Sequence, residues 1–584
     1  MKKLYNILFC GIVVFASTGS LAAQDSYPYA QGYLLSRYRS YTDELPILSS
    51  VNNGFGTARS IAMGSAYTSL GADLSSMGIN PAGLGMYQSS EFGVSLNMSV
   101  SKYKNSSPLI ISDNGRAKAN FAPNNIGVAL NFYQGLGDLT SFTFGFSYNR
   151  LADYNYRGDF SMRSDHMSLG EVFALQLFGI PRDWLDNSRD YTPWGNPDMS
   201  PKDWGAILGV RTGLVGVHTF PADEQWKNIE SQWPDEYPNK YEELENKTYY
   251  LRGVDLWETD RIASVGHRLQ VDSRGSAGEY NIAGGFNIKG HTYIGFSLGL
   301  QDIYRRQNVT YTETYTNNSG ADMPANSMTY SQYSRMSGSG FNFKIGAIFN
   351  PVAGLRLGLA FHTPTWSTVT KHYSASMETV FPSNAYYDNS DTWEYDYDYN
   401  THGRLLTGVS YTFGNKGLIA LDYECDFYNW MRIRVPDYVP DDEFETLKQT
   451  VKETYKPRHI VRVGGEYKVT PAFALRAGFA YNGSFLKKSN EIYNEPLPYK
   501  SMNLSAGIGY RFNNKYSLDL TYVFMKTNYT GYELFYYYGP DNNLVEVEPN
   551  VYASRITEID YGRSNAIKSE LFNHNAVLSF NIRF

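Results

Sequence analysis

Cysteine is almost missing from this chain: 584 residues contain only Cys10 and Cys425. Cys10 lies in an N-terminal leader expected to be removed, which leaves Cys425 as a lone thiol and excludes a disulfide-stapled scaffold. Long apolar runs are missing too. After the leader no stretch of about 18 apolar residues remains, which rules out a transmembrane helix. Basic charge is in deficit, with 51 Lys and Arg against 58 Asp and Glu. Such a chain offers a nucleic acid no electrostatic footing. The nine histidines are scattered without metal-ligand spacing, and no phosphate-binding loop is present. No Ser/His pair is brought together by alternation, so neither an enzyme nor a cofactor or metal is expected.

The leader itself reads MKKLYNILFCGIVVFASTGSLAAQ. Two lysines, an apolar run from Ile7 to Ala16 and small residues to Ala23 make residues 1–23 a signal peptide, with cleavage near Ala22 or Ala23. Its loss removes Lys2 and Lys3 and takes the formal charge from -7 to -9.

What the chain has in quantity is aromatic residues and glycine: 50 Tyr, 32 Phe, 9 Trp and 52 Gly. An exported, net-polar, aromatic-rich chain without apolar helices fits a transmembrane β-barrel, whose strands show lipid only every second residue. The segment EFGVSLNMSVSKY alternates as required: Phe92, Val94, Leu96, Met98 and Val100 share one face, with Gly, Ser and Asn between them. The same period of two runs through Ile126, Val128, Leu130 and Phe132, through Phe142, Phe144, Phe146 and Tyr148, and through Leu578, Phe580, Ile582 and Phe584.

Fourteen such segments occur, near 92–103, 124–133, 140–150, 279–288, 293–303, 340–349, 355–363, 404–413, 418–428, 458–468, 473–482, 502–512, 516–526 and 574–584. Their connections alternate in length. Short turns at 134–139, 289–292, 350–354, 414–417, 469–472 and 513–515 are interleaved with long links that include 151–278, 304–339, 364–403 and 527–573. That sidedness predicts an all-β fold, a 14-stranded antiparallel barrel over 91–584, with periplasmic termini and extracellular long loops.

Residues 24–90 precede the first strand and are rich in small side chains, as in Ala62-Met63-Gly64-Ser65-Ala66-Tyr67-Thr68, Ala72-Asp73-Leu74-Ser75-Ser76 and Asn80-Pro81-Ala82-Gly83-Leu84. Pro81 fixes its own φ and turns Asn80 away from helix, while Gly83 and Gly85 permit tight folding. These stretches resemble the N-terminal hatch of the FadL-like outer-membrane transporters of long-chain fatty acids and other hydrophobic compounds. The resemblance implies a plug in the lumen shaped by Asn80, Pro81, Ala82 and Gly83. It also implies passive uptake of hydrophobic small molecules by a protein seated in outer-membrane lipid.

Within 151–278 two helices are expected. One starts at a Ser168 cap with Glu171 closing a capping box and stops at Gly179; the other has Ser200 as cap and Pro201 at its first turn. In the family, ligands are first captured in a groove between loops. Val172, Phe173, Leu175, Leu177 and Phe178, with Trp204, Ile207, Leu208 and Leu214, are the groove candidates. The competing expectation is that these faces pack on each other as a compact loop domain.

Alternation points Asp422, Glu424 and Asp426 inward, together with Glu466. Lys344, Arg356, Arg462 and Arg476 are the inward cations, read as cross-strand braces or as partners for a ligand carboxylate. The acidic run 386–400 offers Asp388, Asp391, Asp396 and Asp398 to Ca²⁺, but without ordered ligand spacing it is read as a solvated loop. The alternative to transport is a scaffold barrel, like the PorV-like subunits of type IX secretion, that holds a protein partner through its long loops.

Overall fold

The structure is a computed structural model that describes residues 56–134, 137–164, 168–176, 203–220, 262–317, 325–434, 441–487, 498–529 and 567–584, with shorter pieces between them. The leader, residues 24–55, and Leu177, Phe178 and Ser200 lie outside the described residues.

Fourteen antiparallel staves close on themselves: β1 (Glu91–Ser106), β2 (Lys118–Gln134), β3 (Leu139–Asp153), β4 (Ile262–Ile288), β5 (Thr292–Asn317), β6 (Ser327–Val352), β7 (Leu355–His362), β8 (Arg404–Phe413), β9 (Gly417–Asp426), β10 (Arg458–Lys468), β11 (Phe473–Asn482), β12 (Pro498–Arg511), β13 (Tyr516–Tyr529) and β14 (Lys568–Arg583). Each pairs with the next in sequence, and β14 returns to β1 from Glu91↔Arg583 to Ser106↔Lys568. Closure removes every sheet edge, which is what allows strands to sit in hydrocarbon.

The lipid-facing side follows the alternation. Phe92, Leu96 and Met98 on β1, Ile294, Phe296 and Leu300 on β5, and Leu578 and Phe580 on β14 are exposed. Beyond Tyr304 the outward residues of β5 become Arg306, Asn308, Thr310 and Thr312, so the apolar belt ends there while the strand runs on.

The staves outlast the alternating segments. β4, β5 and β6 continue well past the belt, and Tyr156–Ser164 keeps pairing with β4 as far as Ser164↔Val265. Much of 151–278 and 304–339, expected as loop, is therefore strand. The period persists, but without lipid on the outside it loses its apolar contrast. In 364–403, Pro364 interrupts the ladder because it has no N–H to donate, and Trp366–Val380 then resumes pairing with β6.

The helices depart from expectation in detail. α3 (Leu169–Gln176) starts where predicted. α4 (Trp204–Arg211) starts at Trp204 with Asp203 as cap rather than at Pro201, an offset that seats Trp204 against Trp194 and Tyr373 at 5.6 and 5.7 Å. α5 (Asp441–Thr454) was not anticipated; its acidic first turn and Lys452 in its last suit the helix dipole.

Candidate functional site

The lumen has three layers. At the short-turn end it is filled by residues 56–90, in the middle it opens into a cavity, and at the long-strand end it is roofed by α3 and α4.

The plug folds around side chains that satisfy its own backbone. α1 (Ala58–Ala62) is capped by Thr57, whose hydroxyl also donates to Asp73 at 2.8 Å, while the Thr57 amide donates to Ser75 Oγ at 2.8 Å. α2 (Ser76–Ile79) leads into a 3₁₀ turn, Pro81–Met86, where Asn80 Oδ1 accepts from the Ala82 amide at 3.1 Å and Pro81 takes the first position. Asn80, Pro81, Ala82 and Gly83 are all buried. Asn80 Nδ2 donates to Thr68 O at 2.7 Å and reaches the wall at Ala347 O, 3.3 Å away.

Wall and plug touch backbone to backbone because the facing wall positions are glycine. A Cβ on Gly478 would lie 2.0 Å from Gly64 N, one on Gly295 2.2 Å from Pro81 C, and one on Gly346 1.9 Å from Asn80 Oδ1. Polar bonds complete the seat: Ala58 N to Ser579 Oγ at 2.7 Å, Thr521 Oγ1 to Ala58 O at 2.6 Å, and Thr68 N to Asp422 Oδ2 at 2.7 Å.

Of the four inward cations, three are engaged by wall carboxylates. Lys344 Nζ donates to Glu279 at 2.5 Å, Arg462 to Glu424 at 2.5 Å, and Arg476 bridges Glu466 at 2.7 Å and Asp519 at 2.6 Å. Arg59 of the plug adds a second contact to Glu466 at 3.1 Å. Arg356, half-buried near the short-turn end, has no carboxylate partner among the described residues. Asp426 is taken by Arg458 at 2.6 Å, and Asp422, in register with Arg462, serves the plug instead.

At the roof, Val172, Phe173, Trp204, Ile207, Leu208 and Leu214 are buried in one apolar cluster with Tyr311, Tyr330 and Tyr373 from the staves. The Phe173 ring meets Tyr330 edge-on at 5.4 Å. The side chain of Leu175 lies outside the described residues. Glu313, on the part of β5 beyond the apolar belt, tethers the roof: it accepts from the Leu169 amide at 2.7 Å, Ser168 at 2.6 Å, Tyr311 at 2.6 Å and Tyr315 at 2.8 Å. Burial pushes its carboxyl up, and the donors from His267, Ser168 and Tyr311 outweigh that and hold it below the usual carboxylate range.

Asp388 of the acidic run pairs with Arg211, while Asp396 and Asp398 accept from Thr370 and Thr368 at 2.6 and 2.7 Å. No group of metal-ligating side chains occurs among the described residues.

Between plug and roof, the lumen opens into a cavity. Tyr103, Tyr156, Tyr428, Phe485 and Tyr529 line it, together with Arg305, Gln307, Lys371 and Asn573. Sequence reading named none of these. Arg305 and Gln307 continue the inward period of Tyr293, Ser297 and Ile303 on β5, so extending that count past 303 was the signal that would have found them.

Residues 276–533 match the family model described as Outer membrane protein transport protein (OMPP1/FadL/TodX). No curated protein matches the chain. Among solved structures it is similar to the Pseudomonas putida toluene transporter TodX, at 12% identity over 92% of this chain and 100% of that one, with a TM-score of 0.44. It is similar to a Pseudomonas aeruginosa FadL homologue at 13% identity over 92% and 98%, with a TM-score of 0.46. The CymD monoaromatic hydrocarbon channel follows at 10% identity over 92% and 99%, with a TM-score of 0.43. The matched segment, which lies within the closed fourteen-strand wall, is similar to the OMPP1/FadL/TodX family of outer membrane transport proteins.

Proposed function

We propose that this barrel carries mainly apolar molecules, long-chain fatty acids among them, passively across the outer membrane. Molecules enter at the long-strand, extracellular end, rest in the cavity, and leave after residues 56–90 shift toward the periplasm. The observation that carries this reading is the division of the lumen into roof, cavity and plug. A porin-type channel for hydrophilic solutes keeps its lumen open to water, whereas here the plug fills it backbone to backbone. The exported leader 1–23 and a hatch spanning 24–90 belong to the same reading.

The roof's apolar residues act by covering the cavity: Val172, Phe173 and Trp204 bury their surface against the staves, and a ligand passes where they part. Transfer of each methylene from water is worth about 0.8 kcal/mol, so the tail decides capture. Of the four inward cations, Arg356 is the one open to a ligand carboxylate, on the exit side of the plug.

The test is uptake of radiolabelled palmitate by cells with the full chain, without it, and with residues 168–215 deleted. Faster entry with the full chain and a several-fold loss on deletion are expected. Equal entry with and without the protein would overturn the reading.

A further inference from the structure

A row of arginines stands on the outside of the wall, where the lumen has no use for it. On β5 the outward step after Tyr304 is Arg306, and the ladder sets it directly opposite Arg274 of β4 on one side and Arg335 of β6 on the other. Arg305, Gln307, Gln332 and Ser334 line the cavity, so by the strand period Arg306 and Arg335 point away from it. Arg274 does the same, with a side chain 50% exposed. Three guanidinium-bearing residues thus lie side by side on staves about 4.8 Å apart.

Like charges directly opposite each other in a ladder repel, and the protein offsets little of that here. Arg306 has no hydrogen bond or carboxylate partner among the described residues. Arg335 donates to His372 Nε2 at 2.6 Å, which accepts only as a neutral ring and turns its Nδ1 to Glu394 at 3.1 Å. Arg274 leans on Asp272 at 3.2 Å, a carboxylate shared with Arg157 at 3.2 Å and Lys118 at 2.7 Å. Other acids bound the patch without entering it: Asp302 lies below Tyr304 on β5, and Glu394, Asp396 and Asp398 lie on Trp393–Asn400, beyond His372.

The height of the row selects the kind of anion. Tyr280, Tyr304 and Phe341 are the last exposed aromatic side chains outward on these three staves. Aromatic side chains mark the hydrocarbon boundary of a barrel, and Arg306 stands about 7 Å beyond Tyr304, at the level of lipid head groups. Ser276 and Ser337, in register on either side of Tyr304, are small and leave room for a head group against the wall. A guanidinium fork matches the oxygens of a phosphate.

We propose that Arg274, Arg306 and Arg335 form a binding site for the phosphate of an outer-leaflet lipid, whose acyl chains lie on the apolar belt below Tyr304. This lipid is a partner of the wall and not the transported molecule. The choice of leaflet rests on the reading above that the long strands are extracellular.

The test measures, by native mass spectrometry of the full chain in detergent, the affinity for diphosphoryl lipid A and for the same lipid stripped of its phosphates. The phosphorylated form is expected to bind about tenfold or more tighter, and Arg306→Ala and Arg335→Ala each to weaken it about fivefold, the effect of one cation beside an anionic surface. Arg268→Ala is the control, since Arg268 is exposed on the same face further out, opposite Thr312, and is paired with Asp159. It should leave the affinity unchanged. Equal affinity for the two lipids, or an equal loss with Arg268→Ala and Arg306→Ala, overturns the site. Displacement of the lipid by inorganic phosphate at a matching concentration makes the site one for a free anion and overturns the lipid assignment.

Orientation is read separately. Asn308→Cys, in a Cys425→Ser background, is treated in intact cells with a maleimide polymer too large for porins, and labelling is expected. Labelling without preference for the phosphorylated lipid overturns the site and leaves the orientation standing. Preference without labelling overturns the orientation and, with it, the outer leaflet.

Discussion

At Gly346 a single hydrogen decides whether the plug can seat: any Cβ there would stand 1.9 Å from Asn80 Oδ1. Asn80 in turn spends its amide on Thr68 O, Ala347 O and Leu359 O, joining the plug to itself and to two staves. Replacing Asn80 by Ala strips a buried network of one partner, a loss of about 2 kcal/mol. Residues 56–90 should then open about 30-fold more often, with the wall unchanged. The rate at which a water-soluble maleimide modifies a cysteine placed at Ala82, in a Cys425→Ser background, reads this directly. Gly346→Ala should raise the rate in the same direction, and equal rates in all three proteins would show that the plug does not depend on this contact. The Asn-Pro-Ala-Gly turn was legible because Pro and Gly have local conformational consequences. The glycines it rests on were not, because a small inward residue in a strand looks the same whether it faces water or another backbone.

Among the elements, the start of α3 is held by one side chain of the wall. Glu313 gathers donors from the start of α3 and from its own stave, and its depressed carboxyl pKa makes that attachment dependent on pH. A group whose folded pKa lies below its unfolded value stabilises fully above the unfolded value and loses that contribution as pH falls through the folded one. The packing of Trp194, Trp204 and Trp393 should therefore hold at neutral pH and loosen only at pH values below the ordinary carboxylate range. Glu313→Gln should loosen it already at pH 7, by about 2 kcal/mol. Near-ultraviolet circular dichroism of the tryptophan cluster measures both; a signal flat with pH and unchanged by Glu313→Gln contradicts the tether. Sequence reading found Ser168 as a cap but could not see that the main acceptor at this helix start is 145 residues away. Strands in the apolar belt were readable because lipid enforces contrast between their two faces. Past Tyr304 both faces turn polar or mixed, and the pattern thins although the ladder continues.

For the whole molecule, the number and order of staves followed from the alternation and the short turns, since both reflect the solvent on each side of the wall. The cavity did not, because it is assembled from β1, β5, β13, β14 and the stretch around Tyr428, which sequence places hundreds of residues apart. Residues 56–90 take part in no wall pairing, so without residues 27–90 the barrel should still close and the lumen at the short-turn end should be empty. In planar bilayers that variant is expected to show steady single-channel conductance, with the intact protein at least about tenfold less conductive, as a filled lumen requires. Equal conductance would place the barrier elsewhere.

The seam between β1 and β14 carries a consequence for how the protein is made. Glu91 at the start of the first stave meets Arg583 at the end of the last, 2.6 Å apart, and the plug is the segment just before that seam. The chain emerges plug first, yet the ring that encloses the plug is complete only when the final stave arrives. The joining of β1 to β14 therefore closes the ring around the segment that directly precedes it. A defect in β14 would then appear as an open sheet with a loose plug, whereas a defect in the plug's glycine seat would leave the seam closed.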